Sequence, residues 1–395
     1  MNQRLEPVTP PYTPSLRSKL PAVGTTVFTR MSMLAAQNNA VNLGQGFPDF
    51  ACDPKLVDLV SDSMRAGFNQ YPPMPGAAPL REAIAAKIRA IYGRDYDAAQ
   101  EITVTAGATE ALTTAILCAV QAGDEVIVIE PAYDSYVPAI VLAGGVPVRV
   151  SMRLTDGGYS VPWDELAAAV TSKTTLIVIN TPHNPTGTVM SGTDIAALAD
   201  IVRGTDILLL SDEVYEHMVY DGARHESLCR HPELAARSFV VSSFGKTYHV
   251  TGWKVGYVAA PAALTAEFRK LHQYNVFSVN TPMQHGLAAH MADPAPYLEL
   301  PAFYQRKRDL FRAGLANSRF TLLPAQGTYF QCVRYDAISK ASEAEFAEWL
   351  TTEIKVAAIP VSAFYGAATE SGIVRFCFAK QDATLSMALE RLAAI

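Results

Sequence analysis

Ser242-Ser243-Phe244-Gly245-Lys246-Thr247-Tyr248-His249-Val250-Thr251-Gly252-Trp253-Lys254-Val255-Gly256 spans the join between two short apolar runs, Phe239 to Ser242 and Lys254 to Ala259. Read as strand, turn and strand, it puts Lys246 just past the end of a buried strand. In open sheets covered by helices, ligands bind beyond the carboxyl ends of the strands. Ser243, shortly before Lys246, and Lys254, two turns after it, add a hydroxyl and a second cation. A lone Ser-x-x-Lys would read as an ordinary loop lysine. The full string, on its strand–turn–strand background, points to chemistry instead.

Similar runs recur upstream. Ile102 to Thr105, Glu125 to Ile129, Val146 to Val150, Thr175 to Asn180 and Ile207 to Leu210 are β-branched or aliphatic, with Gly, Pro, Asp or Ser at their borders. Ala- and Leu-rich stretches of helical spacing separate most of them, such as Thr109 to Gln121 and Trp163 to Val170. This alternation predicts an α/β fold with a mostly parallel seven-stranded sheet flanked by helices. From about His272 the pattern turns helical. A helix over Tyr304 to Asn317, another near Glu343 to Glu353, and strands at Thr328 to Val333 and Val374 to Phe378 predict a smaller α+β domain. The 395 residues suit such a pair. Residues 1–50 are expected to form an N-terminal arm and part of the small domain, 51–290 the large domain, and 291–395 the small C-terminal domain.

Several predicted strands end in residues with chemical potential. Ser211-Asp212-Glu213-Val214-Tyr215 closes one of them. A carboxylate there can hold a protonated ring nitrogen, and a tyrosine three residues on can reach a phenolic oxygen. Asp212 as a plain helix N-cap is the alternative. Asn180-Thr181-Pro182-His183-Asn184-Pro185-Thr186-Gly187 is a turn made rigid by its prolines and glycine, from which Asn184 can present its amide. A simple Asn-Pro turn fits as well, and His183 reads as a turn residue. Thr105-Ala106-Gly107-Ala108-Thr109-Glu110 ends a strand and starts a helix, where backbone N–H groups suit a phosphate. A capping box, or a tight turn with no ligand, is the competing reading. Tyr133 follows the next strand and can stack on a ring. Arg375 lies inside the apolar run Ile373 to Phe378. Buried, it needs a partner. A substrate carboxylate would serve, and so would a structural salt bridge.

Composition excludes other classes. The formal net charge of -6 gives no general attraction to nucleic acid or anionic membrane. No apolar run is long enough to span a bilayer, and Met1 to Leu20 is polar and Pro-rich rather than signal-like. Five widely spaced cysteines, with no Cys-x-x-Cys, read as reduced thiols in a cytoplasmic protein and not as a metal site.

Together these motifs resemble the class I aminotransferases of fold type I, the aspartate-aminotransferase-like fold. The likeness runs from Gly24 to Leu392, through Gly-Gln-Gly-Phe-Pro-Asp-Phe, Gly-Ala-Thr-Glu-Ala, Pro-x-Tyr-Asp-Ser-Tyr, Asn-Pro-Thr-Gly, Ser-Asp-Glu-Val-Tyr, Ser-Phe-Gly-Lys and Arg375. Within the class the chain is similar to the kynurenine and glutamine-phenylpyruvate subgroup, and most to bacterial methionine aminotransferases. The resemblance implies pyridoxal 5'-phosphate as cofactor and Lys246 as its Schiff-base lysine and proton shuttle. It implies Asp212 at the pyridine nitrogen, Tyr215 and Asn184 at the phenolic oxygen, and Tyr133 stacked on the ring. Ala108, Thr109, Ser243 and Lys254 would hold the phosphate, Ala108 through its backbone alone where many relatives place Ser. Tyr71, in Asn69-Gln70-Tyr71, would reach the phosphate of a partner subunit, which implies a homodimer with shared active sites.

Arg375, Asn184 and the backbone of Gly46 would take the substrate carboxylate, and Phe28, Tyr71 and Tyr365 would line an apolar side-chain pocket. No second arginine for a side-chain carboxylate is apparent. The expected activity is ping-pong transamination from methionine, glutamine or aromatic L-amino acids to a 2-oxo acid. A carbon–sulfur β-lyase acting on cysteine conjugates is the alternative on the same fold. A regulatory effector-binding protein is disfavoured, because only about 20 residues precede the family-like region.

Overall fold

The computed structural model describes residues 16–395, so most of the Pro-rich arm lies outside the described residues. All seven runs expected as strands of the large sheet are strands. They are β1 Ile102–Thr105, β2 Glu125–Glu130, β3 Val146–Ser151, β4 Thr174–Asn180, β5 Leu208–Asp212, β6 Ser238–Ser243 and β7 Gly256–Ala259. They lie in the order β1-β7-β6-β5-β4-β2-β3. β7 runs antiparallel to both neighbours, and every other pair is parallel.

Side chains alternate across a strand, so a run that is apolar throughout must be covered on both faces. That is the case here. Ile127, Ile177, Leu209 and Val240 join one core cluster, and Val128, Val178, Leu210 and Val241 join another. β7 starts two residues later than its sequence suggests. Lys254 has a left-handed backbone, φ 54°, which a strand cannot accommodate, and its side chain turns out of the ladder.

A second sheet contains β8 Thr321–Leu322, β9 Phe330–Arg334, β10 Ile359–Pro360 and β11 Ile373–Cys377, in the antiparallel order β8-β9-β11-β10. The helices Val27–Gln37, Leu300–Leu315 and Asp382–Ala393 accompany it. Its core is rich in aromatics, including Phe311, Phe346 and Phe376, and also takes Met31 and Leu43 from the N-terminal segment. Val41–Asn42 pair in parallel with Val356–Ala357, and the Leu43 carbonyl accepts from Cys377 N at 2.7 Å. The helix expected over Glu343 to Glu353 is α-helical to Trp349 and continues as a π-turn over Leu350–Ile354. All five cysteines are free, as expected.

The helices Pro54–Arg65 and Thr281–His290 pack closely against each other at Gly286. A Cβ on Gly286 would lie 2.4 Å from Val60 Cγ2 and 2.9 Å from Val60 N. Gly286→Val must push the helices apart, and a loss of about 2–3 kcal/mol is expected, measured as a lower thermal midpoint.

Candidate active site

Register sets the strand ends of the large sheet level with one another. Thr105 pairs with Gly256, Gly256 with Ser243, and Asn180 with Asp212. A cavity of about 160 Å³ opens at this edge. Ala108, Thr109, Ser243 and Lys254 line it from the β1, β7 and β6 side, and Asp212, Tyr215, Asn180 and Asn184 from the β5 and β4 side. Tyr133 and Lys246 also line it.

On the first side the helix Ala108–Ala119 begins at Gly107, φ 81°, with no side-chain cap. The capping box is therefore not formed, although Glu110 accepts from Ala106 N at 3.1 Å. Two glycines let the pieces meet. A Cβ on Gly107 would lie 3.2 Å from Lys254 Nζ, and one on Gly256 would lie 3.1 Å from Ala108 N. Uncapped N–H groups, the Lys254 ammonium and the Thr109 and Ser243 hydroxyls form a set suited to a phosphate. Thr109 Oγ1 lies 3.4 Å from the Tyr133 hydroxyl.

Asp212 is buried. It caps no helix; its Oδ1 meets only Val214 N, at 3.3 Å. Its Oδ2 accepts from the Tyr136 hydroxyl at 2.7 Å. Burial pushes the carboxyl pKa up to about 6, against the Tyr136 hydrogen bond, which lowers it. Tyr215 sits in the same wall, and burial raises its hydroxyl. Asn180, which the sequence did not single out, holds this corner together. Its Nδ2 donates to the Asp212 carbonyl at 2.8 Å, and its Oδ1 accepts from Asn184 N at 2.7 Å.

Arg375 stands behind Asn184, almost fully buried. Its Nη1 donates to Asn184 Oδ1 at 2.6 Å and its Nη2 to the Gly44 carbonyl at 3.2 Å. The salt-bridge alternative is overturned: among the described residues no carboxylate pairs with it, and its Nε has no partner. The guanidinium instead stacks over Phe330 at 3.8 Å, with Phe364 at 5.0 Å and Phe28 at 5.5 Å. A buried cation in an aromatic cage with only neutral acceptors is suited to a carboxylate ligand.

Lys246 Nζ donates to the Tyr329 hydroxyl at 2.9 Å and the Gly46 carbonyl at 3.2 Å. Burial lowers its pKa to about 8. Since the Gly46 carbonyl faces Lys246, only the N–H of Gly46 has the polarity a carboxylate needs. Tyr71 is not in this wall. It is 80% exposed, edge-on to Phe277 at 5.1 Å. Tyr365 packs against the large-sheet core and does not line the cavity. His183 is a turn residue as expected, its Nδ1 2.8 Å from Thr186 Oγ1.

The raised Asp212 pKa has a consequence for stability. Folding disfavours the charged carboxylate, so its penalty is absent below the unfolded pKa and complete above about pH 6. Asp212→Asn is expected to stabilise the ligand-free protein by up to about 3 kcal/mol at pH 7.5, and by roughly half as much at pH 5. Chemical unfolding of both proteins at the two pH values measures this.

Residues 38–392 match the family model described as aminotransferase class I and II. Methionine aminotransferase of Escherichia coli is 51% identical over 377 residues, covering 95% of this chain and 97% of that protein. A solved structure reporting that function for an E. coli protein superposes with a TM-score of 0.95 at 50% identity, covering 98% of this chain and all of the other. Kynurenine–oxoglutarate transaminase of Dictyostelium discoideum is 36% identical, covering 96% of each chain. An aspartate aminotransferase from Thermus thermophilus, 29% identical, gives a TM-score of 0.88 over 97% of this chain and all of that one. The fold is thus aspartate-aminotransferase-like, and the chain belongs to the class I and II aminotransferases.

Proposed function

We propose that the cavity binds pyridoxal 5'-phosphate on Lys246 and that the enzyme moves the amino group of methionine, glutamine or aromatic L-amino acids to a 2-oxo acid. The observation that carries this is the convergence of three charged groups: half-buried Lys246 and buried Asp212 line the cavity at the sheet edge, and buried Arg375 bonds to Asn184 of the same wall. The residues present fit the cofactor. The uncapped helix start with Lys254, Thr109 and Ser243 would hold the phosphate, Asp212 the ring nitrogen, Tyr215 and Asn184 the phenolic oxygen, and Tyr133 a ring face. When bound, the cofactor supplies an electron-withdrawing ring that holds the electron pair left on the substrate α-carbon.

The chain's own groups do the rest. Arg375 and Asn184 orient the amino acid by its carboxylate. Lys246 Nζ, uncharged over more of the pH range than an ordinary lysine, takes the α-proton and hands it on. Asp212 must be ionised to hold a protonated nitrogen, and Tyr136 helps keep it so. Phe28, Phe330 and Phe364 surround Arg375, and among the described residues no second arginine lines the cavity, which favours apolar substrates over aspartate. The 51% identity to a methionine aminotransferase supports the same choice.

We read residues 51–290 as the large domain, residues 291–395 with part of 1–50 as the small one, and the protein as a cytoplasmic homodimer. No described helix is long and apolar enough to cross a membrane. Around Tyr71 the surface exposes Phe68, Tyr274 and Phe277, an apolar area suited to a second copy.

The purified protein is expected to show a visible cofactor band that fades on adding L-methionine without a 2-oxo acid. Lys246→Ala should lose the covalent attachment. Attack by an amine of pKa about 8 makes reconstitution of cofactor-free protein faster with rising pH until about pH 8 and then level. A band that fades with aspartate but not with methionine would overturn the substrate assignment. Absence of any band after adding cofactor would overturn the role of Lys246.

A further inference from the structure

Tyr329 is a fully buried tyrosine just before β9, in Gly327-Thr328-Tyr329-Phe330, and none of the roles above requires it. Its ring is fixed by neighbours, edge-on to Tyr215 at 5.1 Å and to Phe330 at 4.9 Å, with Tyr304 at 5.7 Å. Its hydroxyl meets Lys246 Nζ at 2.9 Å and also donates to the Gly46 carbonyl. The same carbonyl accepts from Lys246 Nζ at 3.2 Å. Three groups from three parts of the chain therefore form a closed triangle.

Hydrogen-bond counting shows which form of Lys246 the triangle suits. The Tyr329 oxygen gives its proton to Gly46 and accepts one N–H of the lysine. The Gly46 carbonyl, with two lone pairs, accepts the tyrosine proton and a second N–H of the lysine. A neutral amine has two N–H bonds and one lone pair, so both its donors are used and its lone pair is left over. An ammonium would carry a third N–H, for which no acceptor stands within hydrogen-bond distance among the described residues. The triangle thus holds the amine by its hydrogens and leaves its proton-accepting side free.

We propose that Tyr329 receives the Lys246 amine whenever that amine is not bonded to the cofactor, holding it where it exchanges a proton with the substrate α-carbon. This rests on the reading of Lys246 as the cofactor lysine. In that role the amine must leave the cofactor, stay close, accept one proton and release it again. Tyr329 and Gly46 supply the resting place, and both come from outside the large sheet. Tyr329 touches the reacting nitrogen itself.

Tyr329→Phe keeps the ring and removes only the hydroxyl. The first readout is independent of turnover. The full-length enzyme is loaded with pyridoxamine phosphate, a form in which Lys246 is free, and the pH dependence of Lys246 acylation is followed by mass spectrometry. The charged and titratable groups facing Lys246 are Asp212, Lys254, Arg375 and Cys377, together with the Tyr215 ring, and all are unchanged in the variant. Losing an acceptor weakens the ammonium more than the amine, so the acylation midpoint should fall by about one pH unit. The second readout is the single-turnover half-reaction with L-methionine. It should slow about tenfold, with its acid limb moving to lower pH by the same amount as the labelling midpoint.

An unchanged midpoint together with an unchanged half-reaction would overturn the proposal. So would a wild-type midpoint near the ordinary lysine value of about 10.4, which needs no variant and holds even if Tyr329→Phe misfolds. Borohydride reduction of the resting wild-type enzyme separates the two levels of the argument. A cofactor adduct on the Lys246 peptide keeps the functional reading whatever Tyr329 does, and an adduct on another lysine removes both.

Discussion

The turn Asp212–His217 can present two groups to the cavity because two carboxylates on the same turn are tied down beneath it. Glu213 accepts from Ser211 Oγ at 2.7 Å and Leu228 N at 3.0 Å, with His225 Nε2 2.8 Å away. Glu216 accepts from Lys87 Nζ at 2.6 Å and also from the Tyr92 and Ser242 hydroxyls. Burial pushes the Glu216 carboxyl up, yet Lys87, His217 and the Ser242 hydroxyl outweigh it and hold it well below the usual range. A charge this deep persists only when its partners are complete, and losing one typically costs about 3–5 kcal/mol. The turn is therefore over-determined. Asp212 and Tyr215 face the cavity, while Glu213 and Glu216 anchor the backbone between them.

Much of this was legible in the chain, for a physical reason. A strand buried on both faces must be apolar throughout, so β1 to β6 stand out as short aliphatic runs. The polar residues that end them are then conspicuous, and Lys246, Asp212 and Asn184 were found at those ends. Lys254 shows where such reading stops. It looks like the first residue of β7, yet it sits in a left-handed turn, which is what brings its ammonium beside Gly107. Tyr136, Asn180 and Tyr329 were missed because a tyrosine among apolar neighbours, or an asparagine ending a strand, carries no local sign of its partner. Tyr136 meets Asp212 across 76 residues of sequence and Tyr329 meets Lys246 across 83. Tyr71 was assigned through the family likeness alone, and its exposed position explains why its own chain offers it no role.

Arg375 was the residue whose chemistry the sequence posed most clearly and left open. The structure narrows it by what surrounds the guanidinium. Three phenylalanine rings and two neutral oxygens leave the charge desolvated and without a counter-ion among the described residues. Burial lowers its pKa, and the strand Ile373–Cys377 offers it no retreat to solvent. Stability alone would favour an apolar residue here. A cation kept in such a place makes sense as one half of an interaction whose other half arrives with the substrate.

The two sheets must also meet accurately, since neither holds a complete site. The junction is built on backbone. Gln326 N and Gly327 N both donate to the Gly187 carbonyl, at 3.0 and 2.8 Å, and Thr328 N donates to Met218 O at 3.0 Å. A Cβ on Gly327 would lie 2.7 Å from Pro182 Cβ and 2.8 Å from the Met218 carbonyl, so glycine is the residue that lets these loop segments close to this distance. On one side of the junction lies the Asn184 turn. On the other lies Tyr329, followed at once by Phe330 under Arg375. Asn184 and Arg375 then bond to each other, and Tyr329 reaches Lys246. The same few backbone contacts thus set the spacing between the amine that moves protons and the guanidinium suited to the substrate carboxylate. A shift at Gly327 would displace both together, which makes this junction, rather than any single side chain, the part of the fold that fixes where a substrate α-carbon can lie.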